Sequence, residues 1–226
     1  MLNTKTRNII EQSRKRGWVL EPEAKELLSS WNFSLPGFIW TSSLSRAEAF
    51  AQEQGYPLVM KIVSSQIMHK TESKGVVLGI DSLQLLRETF HRFSEYQGFE
   101  GVLVEEMISG TTELIIGSKT DFQFGPVVLL GIGGTGVEIY QDTVLRMAPL
   151  TEADIGFMFD DLKGKALLSG FRGGTGINFA YLTQMLVRFS NLVMDLEDIE
   201  SIDLNPVICT PERAVIADAR IILKQN

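Results

Sequence analysis

The sequence predicts an α/β (α+β) protein, and two observations predict it. Short apolar, β-branched runs such as Leu-Val-Met-Lys-Ile-Val at 58–63 and Gly-Val-Val-Leu-Gly-Ile at 75–80 have strand character. Longer segments with apolar positions three and four apart lie among them and read as helices packed on a sheet. In chain order, Pro22 near a helix start and leucines on one face predict a helix over 21–30. Ser45, with Glu48 at the capping-box position, predicts a second helix that ends near Gly55. Leu83, Leu86, Phe90 and Phe93 give an amphipathic helix over 82–96, and a strand over 101–106 follows it. Short strands near 113–119 and 126–131 precede a glycine-rich turn, and Thr151 caps a helix with an acidic start. A long helix over 178–194 leads to two closing strands, 199–208 and 213–220, separated by Thr210-Pro-Glu-Arg as in a hairpin.

Composition narrows the function classes. A chain of 226 residues with 44% hydrophobic and 22% charged residues is globular and long enough for one domain or two small lobes. A net charge of −7 argues against a nucleic-acid binder, which needs clustered cations. The one dense basic run, Arg14-Lys15-Arg16, reads as part of a solvated N-terminal arm over 1–20. No apolar stretch approaches the ~18 residues of a membrane span and no signal peptide is visible, so a soluble, cytoplasmic protein is expected. The single Cys209 lies in an apolar segment and is expected to be a small packed residue, not a nucleophile. Two histidines without ligand spacing exclude a His-rich metal centre.

The candidate chemistry starts at Lys61. An ammonium within a buried strand needs an anion, either a carboxylate or a nucleotide phosphate. The connection 64–74 after it is rich in donors and cations, including His69 and Lys70, and suits a cover for phosphates. Asp203 and Asn205, two apart on one strand, share a face, and Asp218 stands on the next apolar strand. Hard oxygen donors of this kind suit Mg²⁺, although Asx residues before Pro206 and Thr210 can also simply form turns.

These motifs occur in a telling order: Lys61, His69-Lys70, Gly75, the acidic hinge Val104-Glu105-Glu106-Met107, Glu113-Leu-Ile-Ile-Gly-Ser-Lys119, Phe124-Gly-Pro-Val-Val-Leu-Leu-Gly131, Ile202-Asp203-Leu204-Asn205-Pro206 and Asp218. The set resembles ATP-grasp proteins over about residues 18–222. It is most similar to the β subunit, or C-terminal ATP-grasp half, of NDP-forming acyl-CoA synthetases such as ADP-forming acetate–CoA ligase, which are related to succinyl-CoA synthetase. The resemblance implies an ATP-grasp fold of two lobes with the nucleotide between them, an N-terminal lobe over 21–107 and a C-terminal lobe over 108–226. It implies ATP or ADP with Mg²⁺ as cofactors. Lys61 and Gly75 would serve the phosphates, Glu105, Glu106 and Met107 the adenine and ribose, and Glu113 the ribose hydroxyls. Asn205 and Asp218, joined or supported by Asp203, would hold the metal.

In such enzymes a histidine matching His69 carries a phosphoryl group between a partner subunit and the nucleotide, with Lys70 offsetting its charge. A separate CoA-binding α subunit, assembled as a heterotetramer, is implied because no dinucleotide-type CoA fingerprint is present here. The glycine cluster Gly131–Gly136 matches a loop at the active-site mouth, and Arg172 in the second cluster is expected to face the partner. The chain departs from the usual pattern at Lys74, where a second glycine commonly precedes Gly75, and at Gly173–Gly176, where a proline-containing stretch is common. Two other readings are a self-contained ATP-grasp carboxylate ligase and a non-catalytic nucleotide-sensing subunit.

Overall fold

The computed structural model describes residues 4–67, 73–110, 112–134, 142–170 and 175–225. Its first half contains α1 (Thr4–Ser13), β1 (Trp18–Val19), α2 (Glu21–Ser30), β2 (Phe38–Thr41), α3 (Leu44–Gln54), β3 (Leu58–Ser64), β4 (Val76–Ile80), α4 (Leu83–Ser94) and β5 (Phe99–Glu106). There follow β6 (Thr112–Asp121), β7 (Gly125–Ile132), β8 (Thr143–Met147), α5 (Glu152–Asp161), α6 (Lys165–Leu168), α7 (Phe179–Asp195), β9 (Ile199–Cys209), β10 (Ala214–Ile216) and β11 (Arg220–Leu223). The chain divides into two compact units: Pro36–Ile108, and Met1–Leu35 together with Ser109–Asn226.

The division corrects the expected arm over 1–20 and the lobe beginning at 21. Residues 4–13 are a helix whose Ile9 and Ile10 are buried in the core of the larger unit, and Ala24, Leu27 and Leu28 of α2 join the same core. Burial of one apolar stripe on each helix is what orders this segment, and the basic run that follows α1 had masked that stripe. Among the described residues no helix is long and apolar enough to cross a membrane.

The smaller unit is an antiparallel sheet in the order β2-β5-β3-β4. Leu58, Met60 and Ile62 of β3 alternate onto one face with Val102 and Val104 of β5, and α3 and α4 cover that face through Ala47, Ala51, Leu86, Phe90 and Phe93. Helix α4 starts where Ser82 accepts a hydrogen bond from the Leu85 N–H. Helix α3 starts at Ser43, not at the expected Ser45, and has no side-chain cap bond; the Ser43 and Ser45 hydroxyls meet each other at 2.9 Å instead.

The larger unit has a sheet in the order β1-β11-β9-β6-β7-β8, with β10 also on β9. Its core face carries Leu114, Ile116, Val128, Leu130, Ile202, Leu204 and Val207 against α2, α5 and α7. Thr151 and Asp154 close a capping box at the start of α5, as the sequence predicts for Thr151. The expected strand over 213–220 is two strands, β10 and β11, with residues 217–219 between them unassigned.

Gly101, at φ 136°, follows a register shift opposite Val63 and Ser64, and a Cβ there would lie 2.8 Å from the Thr41 carbonyl oxygen. Gly101→Ala is expected to destabilise the smaller unit by about 1–3 kcal/mol, seen as a lower urea midpoint in equilibrium unfolding.

Candidate functional site

The smaller unit brings Lys61 and Glu105 together. Val59 stands opposite Glu105 and Lys61 opposite Leu103, so the two charges are diagonal neighbours on the face of the sheet that α3 and α4 leave alone. Lys61 Nζ lies 3.0 Å from Glu105 Oε2, and the two side chains are 7% and 3% exposed. The anion that the strand lysine requires is therefore a carboxylate of the neighbouring strand. Desolvation makes such a pair costly to form and more costly to halve.

The hinge residues follow directly. The Glu106 N–H donates to the Gly37 carbonyl at 2.9 Å and the Met107 N–H to the Pro57 carbonyl at 3.3 Å, so both amide hydrogens already serve the fold. The Glu106 carboxylate accepts from the Gly37 N–H at 3.4 Å, and Met107 is 38% exposed. At the other end of β3, the Ile62 N–H donates to the Gly75 carbonyl at 2.8 Å. Lys74, before it, has φ 54°, the left-handed region that a side chain adopts at a cost and that glycine adopts freely. This accounts for the glycine that the resemblance leads one to expect there. His69 and Lys70 lie outside the described residues, as do Gly136 and Arg172.

The larger unit carries the remaining candidates. Glu113, exposed on β6, is held by its backbone: the Gly133 N–H donates to its carbonyl. A Cβ on Gly133 would lie 2.8 Å from the Glu113 carbonyl carbon, so the glycine-rich turn can run this close to Glu113 only without a side chain there.

Asn205 and Asp218 are placed by register. Ile216 stands opposite Val207 and Arg220 opposite Asp203. Three residues intervene on each side, 217–219 and 204–206, and Asp218 and Asn205 are the middle ones. The Ala217 N–H donates to the Pro206 carbonyl at 3.0 Å, which keeps the segments that carry Asn205 and Asp218 side by side. β9 also carries one more residue than β6 between the pairs Leu114–Val207 and Ile116–Leu204, a bulge that turns Asn205 out of the core. The chemistry of the donors, one amide oxygen and one carboxylate, fits Mg²⁺ that keeps waters and takes its other oxygens from phosphate. Among the described residues no three His, Cys, Asp or Glu side chains gather to hold a metal by themselves.

Asp203, expected to join or support them, meets a cation of its own sheet. Its Oδ2 lies 3.1 Å from Arg220 Nη2, directly across the ladder, so its charge is matched by a guanidinium. Sequence reasoning missed a further pair, Glu21 and Lys25, whose charged atoms are 3.5 Å apart with side chains 1% and 0% exposed. Their spacing of four, one helical turn, beside Leu28 was the available indication. Cys209 is packed as expected, and burial pushes its thiol up to about 12.

The two-unit architecture and this set of residues define an ATP-grasp protein. The sequence profile of the ATP-grasp domain family matches residues 11–223, and the chain belongs to that family. It is 37% identical to the β subunit of ADP-forming acetate–CoA ligase I of Pyrococcus furiosus, over 97% of this chain and 98% of that one. Solved structures of the dinucleotide-forming acetyl-coenzyme A synthetase 1 of Ca. Korarchaeum cryptofilum are similar throughout. One, in complex with coenzyme A and Ca-AMPCP, superposes with a TM-score of 0.91 at 36% identity, covering 97% of this chain and 100% of that chain. Another, with Mg-AMPPCP and a phosphohistidine segment pointing towards the nucleotide binding site, gives 0.85 at 35% identity with the same coverage. Of three longer relatives, among them the ADP-forming 4-hydroxybutyrate–CoA ligase of Nitrosopumilus maritimus, the match spans 30% to 33%.

Two outcomes follow from the buried groups. Glu105→Leu alone is expected to cost about 3–5 kcal/mol by leaving Lys61 buried without its carboxylate, and Glu105→Leu with Lys61→Met to cost less, measured by denaturant unfolding. Because the reactive species is the thiolate, folded protein should leave Cys209 unmodified by a thiol reagent at about pH 8, near the ordinary thiol pKa. Unfolded protein should react fully.

Proposed function

We propose that this chain is the nucleotide-binding β subunit of an ADP-forming acyl-CoA synthetase and works in the cytoplasm with a separate CoA-binding α subunit in a heterotetramer. The observation that carries the reading is the likeness, along nearly the whole of both chains, to a β subunit of an ADP-forming acetate–CoA ligase. Its activity moves a phosphoryl group between a histidine and ADP.

The proposed division of labour follows the chemistry of each group. The imidazole of His69 is a neutral nucleophile near pH 7. It would attack the phosphoryl group on a histidine of the α subunit, so that one P–N bond forms as the other breaks. A terminal oxygen of ADP would then attack the phosphorus, forming the P–O bond of ATP and releasing His69. Lys70 would offset phosphate charge at this transfer. Lys61, with three N–H donors, would serve the phosphates while keeping Glu105 as its partner. Glu105–Met107 would border the adenine, Gly75 the phosphate cover, and Glu113 would accept from the ribose hydroxyls. Asn205 and Asp218 would hold Mg²⁺, which when bound neutralises phosphate charge. Asp203 would act from behind them by holding Arg220.

Incubation with labelled ATP, Mg²⁺ and the α subunit should give an acid-labile, alkali-stable label on this chain that His69→Asn abolishes while ADP binding persists in calorimetry. Label that survives His69→Asn would overturn the relay. Robust acyl-CoA synthesis by this chain without α would favour a self-contained ligase instead.

A further inference from the structure

A proline interrupts the ladder beside the proposed metal ligands, and a buried ammonium fills the interruption. The Ala217 N–H donates to the Pro206 carbonyl at 3.0 Å. Residues paired this way in an antiparallel ladder normally return a second bond, from the opposite N–H to the first residue's carbonyl. Pro206 has no N–H to return. Lys25, from α2, donates its Nζ–H to the Ala217 carbonyl at 2.8 Å. That carbonyl belongs to the peptide group that enters Asp218, so the ammonium holds the plane from which the Asp218 side chain departs.

We propose that Lys25 is a positioning residue for the metal-binding pair Asn205 and Asp218, fixing the 217–218 peptide by supplying the hydrogen that Pro206 lacks. This rests on the role proposed above for that pair. Stability alone is a poor reason for the arrangement. Lys25 is 0% exposed and Glu21 2%, and buried ion pairs are often replaced by apolar residues of the same volume with no loss of stability. An apolar pair cannot donate to a carbonyl. A lysine can do both tasks here, since its four-carbon stem reaches from the helix to the strand and its ammonium has separate hydrogens for Ala217 and Glu21.

The test is calorimetry of ADP binding with and without Mg²⁺ in Glu21→Gln/Lys25→Met, which removes both charges so that neither is left buried alone. Affinity for metal-free ADP should be unchanged. The gain in affinity that Mg²⁺ confers should fall about tenfold, the scale on which losing a supporting outer partner lowers metal affinity. An unchanged Mg²⁺ gain, or equal losses with and without metal, would overturn the proposal. Asp218→Ala in the same titration keeps the two ideas apart. If it too retains the Mg²⁺ gain, the metal pair is wrong; if it loses the gain while the Lys25 variant keeps it, only the positioning role fails. Should the double variant not fold, the parent protein answers by ¹⁵N-lysine NMR, with the Lys25 ammonium assigned by through-bond correlation along its own side chain. A shift when Mg²⁺ is added to the ADP complex supports the proposal, and no shift overturns it.

Discussion

The missing amide hydrogen of Pro206 is the constraint on which the larger unit turns. β9 is the central strand of that unit, paired with β6 on one side and with β10 and β11 on the other. A proline there removes a ladder bond from the interior of a sheet, a place where it is normally excluded. The surrounding structure answers with an extra residue on β9, with residues 217–219 lying outside regular strand, and with Lys25 reaching in from α2. Helix α2 must therefore dock on this sheet. The N-terminal segment consequently belongs to the larger unit although residues 36–108 separate it from the rest in sequence.

Both units bury a lysine beside a glutamate, in different settings. Lys61 and Glu105 are on neighbouring strands, and Glu21 and Lys25 are one turn apart on a helix. Each pair fixes where a cation sits by burying both side chains, which a surface pair held by long mobile side chains does not do. On the larger sheet, Asp203 faces Arg220 across the ladder, which matches its charge.

Much of the fold was legible because local patterns and packing agree. The period of two in Leu58, Met60 and Ile62 and the spacing of Leu86, Phe90 and Phe93 are the patterns that pack together in the smaller unit. Thr151 likewise caps the helix that it precedes. Short edge elements such as β1, β2 and β8 were not legible, since so few residues carry no period and their places depend on strands distant in sequence. Helix α1 was hidden by its polar composition. At the candidate site the residue types were readable but not their partners. Neither the contact of Lys61 with Glu105 nor the contact of Arg220 with Asp203 can be inferred without cross-strand register.

The pairing of β1 with β11 sets an order of events during synthesis. Trp18 and Val19 pair with a strand ending at Leu223, so the larger sheet cannot close until residue 223 has left the ribosome. The segment 36–108 is contiguous and is free to fold far earlier. Meanwhile α1 and α2 precede that segment with their apolar faces, Ile9, Ile10, Leu27 and Leu28, and must wait for their sheet. Closing so long a loop is slow because its entropy is lost before any contact is gained. The nascent chain thus carries the exposed faces of α1 and α2 until β11 has emerged, the interval in which a holding chaperone would act on it.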